Sequence, residues 1–165
     1  MGRRNFLVEG ISCSGKTTVG IELQRRGYQA VNGDTELAYQ GDPETGAPTD
    51  THSHEHHIWR VDAVRRLAGQ RDEAVTFFCG GSRNFAEFLD VFDSVFVLDI
   101  DPPTLLDRLD ARPDEEWGAR PAERELIIHL HGSREGLPDG VRVDATQPLT
   151  DVVDEILRLA LADDP

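Results

Sequence analysis

Short apolar runs alternate with segments of helical periodicity along the chain, a pattern that predicts an α/β fold on a parallel sheet. The first strand is expected over residues 5–9 and the first helix over about 15–26, where Val19, Ile21 and Leu23 are apolar. A second short strand is expected at 29–31. Asn32-Gly33-Asp34 then opens a polar stretch as far as Thr51, rich in Gly, Pro, Asp and Thr. That length is unusual for a plain connection and predicts a mobile or ligand-covering segment. The next helix is expected from about 54 to 69, with Ile58, Val61, Val64 and Ala68 at helical spacing. Residues 74–79 and 94–98 read as buried strands and 103–111 as a helix. After a polar segment at 113–118, a helix over 121–131, a strand over 141–143 and a helix over 149–161 complete the pattern. No repeat or linker interrupts it, so residues 1–165 are expected to form a single domain.

Between the first strand and the first helix stands Gly10-Ile11-Ser12-Cys13-Ser14-Gly15-Lys16-Thr17, which fits the phosphate-loop pattern G-x-x-x-x-G-K-[ST]. Glycines at 10 and 15 let main-chain N–H groups turn inward toward phosphate oxygens, and the helix start adds partial positive charge. Lys16 is the expected contact for the β- and γ-phosphates, and the Thr17 hydroxyl the expected magnesium ligand. Ser12, Cys13, Ser14 and Thr18 complete the expected nucleotide contacts of this segment. An N-K-x-D motif for guanine would need a second lysine, and Lys16 stands alone beside 16 arginines. ATP with magnesium is therefore the expected ligand. A crowded cradle suits a compact ammonium better than a wide guanidinium.

The net charge of -14 argues against a nucleic-acid surface or an anionic membrane as partner. A small-molecule acceptor is expected instead, with no protein partner evident. Cys13 and Cys79 suggest no disulfide framework, and the short apolar run after Arg3-Arg4 is no export signal. A cytoplasmic protein is expected.

From Lys16 onward the order of elements resembles the adenylate kinase, shikimate kinase and gluconate kinase group. The strand ending at Cys79 and followed by Gly80-Gly81-Ser82-Arg83 resembles the third-strand end of adenylate kinases. Val97-Leu98-Asp99 with Leu105 to Arg112 resembles the strand and helix that lead into their lid, and Arg120-Pro121 is similar to the end of the short shikimate kinase lid. Val143-Asp144-Ala145-Thr146-Gln147-Pro148-Leu149 resembles the loop that meets the adenine edge. The resemblance implies a three-layer fold with a five-stranded parallel sheet in the order 2-3-1-4-5, an acceptor region at about 34–69 and a lid at about 113–120. It also implies transfer of the γ-phosphate of ATP to a small acceptor.

Cys79 stands where adenylate kinases carry an aspartate, as in gluconate kinases, and Asp34 occupies the place of an aspartate in gluconate and shikimate kinases. The match moves the expectation toward a hydroxyl acceptor on a metabolite or nucleoside, with Asp34 on that hydroxyl and on magnesium through water. The bland alternative for Asp34 is an Asx-turn or a helix cap. Arg83, after two glycines at an expected helix start, suits an acceptor anion. Arg108 and Arg112, one helical turn apart, are expected to face the ATP unless they pair with Asp107, Asp110 or Asp114. Arg120 is a further lid candidate, and Ala145, Thr146, Gln147 and Pro148 are the implied adenine loop. His56, Trp59 and Arg60 are candidate acceptor contacts, because related kinases bind the acceptor in this region. The run His52 to His57 is expected to be a solvated helix start and not a metal site, since consecutive helical residues point apart. A nucleoside monophosphate kinase, with Arg60 and Arg83 on the acceptor phosphate, and an ATP-binding resistance or regulatory protein without turnover are the alternatives.

Overall fold

The protein is seen in a computed structural model that describes residues 4–162. Asp163-Asp164-Pro165, read from the sequence as a solvated tail, lie outside the described residues, as does Arg3. Strand β1 (Arg4–Gly10) is buried over almost its whole length. It pairs in parallel with β5 (Val75–Cys79) on one side and β6 (Ser94–Asp99) on the other. Strands β2 (Gln29–Asn32) and β7 (Val141–Asp144) add to the two edges, also in parallel, giving the order β2-β5-β1-β6-β7. Numbered among themselves, these five strands run 2-3-1-4-5, the expected order.

The period-two alternation of β1 divides the core. Phe6 and Val8 face α1 (Lys16–Arg25), α4 (Pro102–Asp110), α5 (Pro121–Ser133) and α6 (Leu149–Leu161), packing with Val19, Leu23, Leu105, Ile127 and Ile156. Leu7 faces the other side with Phe78, Val64 of α3 (Val61–Ala68), Trp59 and Phe88. Helices therefore cover both faces, as a parallel sheet requires. Local signals fix several helix starts: Asp101 caps α4 by accepting from the Thr104 amide at 2.9 Å, and Pro102 and Pro121 occupy first helical positions.

The segment after β2 departs from expectation. A one-turn helix, α2 (Gly33–Glu36), is followed by a hairpin of β3 (Ala38–Gln40) and β4 (His57–Trp59), with Ala38 opposite Trp59 and Gln40 opposite His57. The helix expected over 54–69 begins only at Val61; residues 54–56 form a 3-10 turn and 57–59 a strand. The spacing of Ile58, Val61, Val64 and Ala68 fits a helix, but pairing with a segment some 18 residues earlier overrides it. Asn84 strengthens the strand: its Oδ1 accepts from the Trp59 amide at 3.0 Å and its Nδ2 donates to the Trp59 carbonyl at 2.9 Å. His52 and His56 consequently share no helical face. The helix expected to begin near Arg83 is also reduced, to two 3-10 turns at Phe85–Glu87 and Leu89–Val91.

Trp59 is wholly buried, stacked on Phe88 at 5.6 Å, and its indole lies over Gly33, where a Cβ would come within 2.0 Å of the ring. Gly33 is thus required by close approach. Trp59→Ala is expected to cost about 3–5 kcal/mol in urea unfolding, the usual range for emptying a buried tryptophan site. A loss near zero would mean that the hairpin does not pack as described.

Candidate functional site

All five parallel strands end on the same side, and the loops that leave four of them line one cleft of about 1190 Å³. The phosphate loop leaves β1, Asp34 follows β2, Gly80-Gly81-Ser82-Arg83 follows β5, and Ala145 follows β7. Each connection is dictated by the end of its strand.

The loop itself turns as tightly as its contacts permit. A Cβ on Gly10 would lie 2.4 Å from Ser14 Oγ, and Gly15 adopts φ +101° at the entry to α1. Ser12, Cys13, Ser14, Lys16, Thr17 and Thr18 all line the cleft. Ser14 Oγ is buried and has no hydrogen-bond partner among the described residues, an unsatisfied polar atom in the loop. The Lys16 ammonium folds back on the Gly10 and Ile11 carbonyls at 2.5 and 2.9 Å. These features fit a bound phosphate, for which the amides, the helix start and the ammonium are all donors.

Arg108 donates to the Cys13 carbonyl at 2.9 Å and to the Ala145 carbonyl at 2.8 Å, tying the phosphate loop to the loop after β7. Arg112 donates to Ser12 Oγ at 3.2 Å and to the Trp117 carbonyl, so it ties the same loop to the lid segment. Neither uses Asp107, Asp110 or Asp114; Arg112 has Glu116 at 3.6 Å. Arg120 also lines the cleft, with its side chain 81% exposed and Glu123 3.9 Å away. Ala145 and Gln147 reach the cleft, whereas Thr146 and Pro148 do not line it. Thr146 turns back to Asp144, its hydroxyl 2.5 Å from Oδ1.

Asp34 is held by His57 Nε2 at 3.1 Å and by the Gly81 amide at 3.2 Å. Burial works to raise its carboxyl, but the His57 hydrogen bond, with the Lys16 charge and the Gly81 amide, holds it below the usual range. It therefore stands as a carboxylate and caps no helix. Three expected acceptor contacts are corrected by the fold. Trp59 is in the core because β4 turns it inward, Arg60 lies outside over the Tyr39 ring at 5.0 Å, and His56 bonds locally to Ser53 Oγ and the Thr51 carbonyl. His57, two residues before Trp59 and so on the same face of β4, lines the cleft instead, and His54 joins it there. His54 stacks on Trp117 at 5.4 Å, and its Nε2 is buried without a partner among the described residues. Burial, with Arg83, His57 and Lys16 nearby, pushes His54 down to about 4, so it is neutral. Among the described residues no group of three or more His, Cys, Asp or Glu is placed to hold a metal ion.

Glu9 escaped the sequence reading because it ends a buried strand and belongs to no motif. It is 1% exposed, and its Oε1 accepts the Gly10 amide at 3.0 Å. Burial pushes its carboxyl up to about 7, against the pull of Lys16, the Gly10 amide and Arg83. Arg83 lines the same wall; burial lowers its guanidinium, which Glu9 and Glu135 partly support, and it donates to the Gly136 carbonyl at 3.0 Å.

The raised Glu9 value means that the folded state binds this proton more tightly than the unfolded chain, so its contribution to stability falls as pH rises from about 4.5 to about 7. His54 acts oppositely between about 4 and 6.5, where the unfolded chain takes the proton more readily. Subtraction isolates the carboxyl. Glu9→Gln is expected to gain about 3 kcal/mol relative to the parent between pH 4.5 and pH 8 in urea unfolding. A constant difference across that range would contradict it.

The comparisons with known proteins agree with this architecture. A comparison with curated proteins gives no match. Among solved structures, a sugar kinase from Janibacter sp. HTCC2649 is 21% identical, over 99% of this chain and 97% of that one, with a TM-score of 0.58. A gluconokinase from Sinorhizobium meliloti 1021 is 23% identical, over 98% and 97%, at 0.56. A shikimate kinase from Acinetobacter baumannii in complex with shikimate is 18% identical, over 98% and 95%, at 0.63. At such identities the likeness shows a shared fold. The family described as AAA domain matches residues 7–129, from the first strand through most of α5. The chain belongs to the AAA domain family.

Proposed function

We propose that the protein is an ATP-dependent phosphotransferase that moves the γ-phosphate of magnesium-ATP to a hydroxyl of a small metabolite or nucleoside. The observation that carries this reading is the convergence, in one cleft, of the phosphate loop, four arginines and the Asp34–His57 pair. Lys16, Arg108 and Arg112 would bind and neutralise the phosphates, each leaving the carbonyl it now contacts. Arg120 would join them when the lid closes, and closure would exclude water that competes with the acceptor. Magnesium suits the Thr17 hydroxyl and Asp34 as partial donors beside phosphate and water oxygens, and it would supply charge neutralisation at the phosphates.

In the transfer, the acceptor oxygen forms a bond to the γ-phosphorus while the bond from that phosphorus to the bridging oxygen of ADP breaks. The hydroxyl proton passes to the Asp34 carboxylate, and His57 holds that carboxylate in place. The nucleoside monophosphate alternative relies on Arg60 beside Arg83, and Arg60 lies outside the cleft. Two free thiols, Cys13 and Cys79, fit a reducing compartment such as the cytoplasm. Among the described residues no helix is long and apolar enough to cross a membrane.

The test is release of ADP from magnesium-ATP with panels of nucleosides, nucleotides and sugars. Asp34→Asn is expected to lower kcat by about 10²- to 10⁴-fold with little change in ATP affinity, and Lys16→Ala to weaken ATP binding itself. Full turnover by Asp34→Asn would remove the role assigned to that carboxylate.

A further inference from the structure

Gly80 and Gly81 lie between two carboxyl groups that leave different strands. A Cβ on Gly81 would come within 2.9 Å of Glu9 Oε1, and one on Gly80 within 2.8 Å of Asp34 Oδ1. Asp34 also accepts the Gly81 amide, so the two carboxyl groups flank one short stretch of main chain at the floor of the cleft. Glu9 is buried beyond nine-tenths, yet its Oε2 receives no hydrogen bond among the described residues, and the side chain lines the cleft. The glycine pair is the only backbone that leaves this niche open, since any side chain would fill it.

The charges around the niche do not favour an acceptor anion. Arg83 is the cation on this wall. It is answered by Glu9 and Glu135, and its guanidinium rests on the turn at Gly136, where a Cβ would come within 2.0 Å of Nη1. Lys16, Arg108, Arg112 and Arg120 are engaged by the nucleotide in the proposed reaction, and Arg60 is outside. What faces the acceptor is Glu9, Asp34 and Glu135 against one guanidinium, with neutral His54 and the Trp117 ring as an aromatic wall and a buried Nε2 without a partner. Oxygen acceptors below and a ring face above suit a molecule that donates several hydroxyl protons and presents C–H faces.

Resting on the phosphotransferase reading, the geometry points to a polyhydroxylated acceptor without a phosphate or carboxylate group, gripped by Glu9 and Asp34 through its hydroxyls. Glu9 is then an acceptor-binding residue that sets specificity. The shared chemistry is a hydroxyl-bearing ring, which a neutral sugar, a cyclitol or the ribose of a nucleoside could each supply.

The experiment measures ADP release with paired acceptors that differ in charge: nucleosides against their monophosphates, and neutral sugars and cyclitols against the corresponding sugar acids and carboxylated rings. The expected result is a neutral member favoured in kcat/KM by about tenfold or more, with the arm that responds naming sugar, cyclitol or nucleoside. Glu9→Gln keeps the acceptor for the Gly10 amide and is expected to raise the acceptor KM by about 10- to 100-fold, the loss of one charge-assisted hydrogen bond, with the ATP KM within about twofold. Gly81→Ala, which keeps the Glu9 carboxyl in the chain but pushes a methyl against it and into the niche, is expected to raise the acceptor KM in the same way. Preference for the anionic members, or an unchanged acceptor KM in both variants, would overturn the assignment while leaving the phosphotransferase reading intact. ATP binding with no acceptor-dependent ADP from any compound would overturn both.

Discussion

At Gly10 any Cβ would collide with the Ser14 side chain, and that contact limit governs how sharply the chain turns from β1 into α1. A wider turn would carry the amides of residues 12–16 away from a common centre and separate the start of α1 from it. The turn is held from outside as well as within. Arg108 and Arg112 reach the Cys13 carbonyl and Ser12 hydroxyl from α4 and its end, so the loop is braced by the arrangement that also carries the lid. Cys13 itself sits at φ +72°, uncommon for a residue with a side chain, and its carbonyl is the one that Arg108 takes.

Directly beneath the turn, Glu9 is the electrostatic counterpart of this cradle. Burial disfavours its charge, while Lys16, Arg83 and the Gly10 amide favour it, and the balance leaves the carboxyl near 7. Asp34 meets the opposite outcome a short distance away, because a specific hydrogen bond to His57 outweighs the loss of water. Two carboxyl groups on one floor thus differ through their partners and not through their chemistry. Around them an acidic chain gathers Lys16, Arg83, Arg108, Arg112 and Arg120 into one cleft. Such a distribution favours a small anion that enters the cleft over a polyanion spread across the surface.

The wall of the cleft that carries His57 is assembled from pieces that have little stability apart. A hairpin of two three-residue strands is marginal in water. Here Asn84 acts as a neighbour to Trp59, the Arg83 amide donates to the His57 carbonyl at 2.9 Å, and the indole fills the space over Gly33. Those contacts orient His57 and, through the turn before it, His54. Trp117, from the segment between α4 and α5, then stacks on His54 and joins that segment to the 3-10 turn before β4. Near this pair the chain turns at Gly118, at φ +104°, with its amide donating to Glu123 at 2.8 Å.

What the sequence determined by itself was the part governed by short range. Strand and helix periodicity and the spacing of Gly10, Gly15, Lys16 and Thr17 gave the strands, the helices and the phosphate loop, because each depends on residues within a turn or two of one another; the strand order came from the family resemblance. Arg108 and Arg112 were legible for the same reason, as two positions on one helical face. The tertiary structure alone decided which histidines face the cleft, since β4 exists only through pairing with β3, and that pairing sets His57 and Trp59 on one face, the indole over Gly33 and the imidazole on Asp34. It alone placed Glu9 as well. A glutamate at the end of a buried strand carries no motif, and its meaning comes from Gly81, Arg83 and Lys16, which arrive from other parts of the chain.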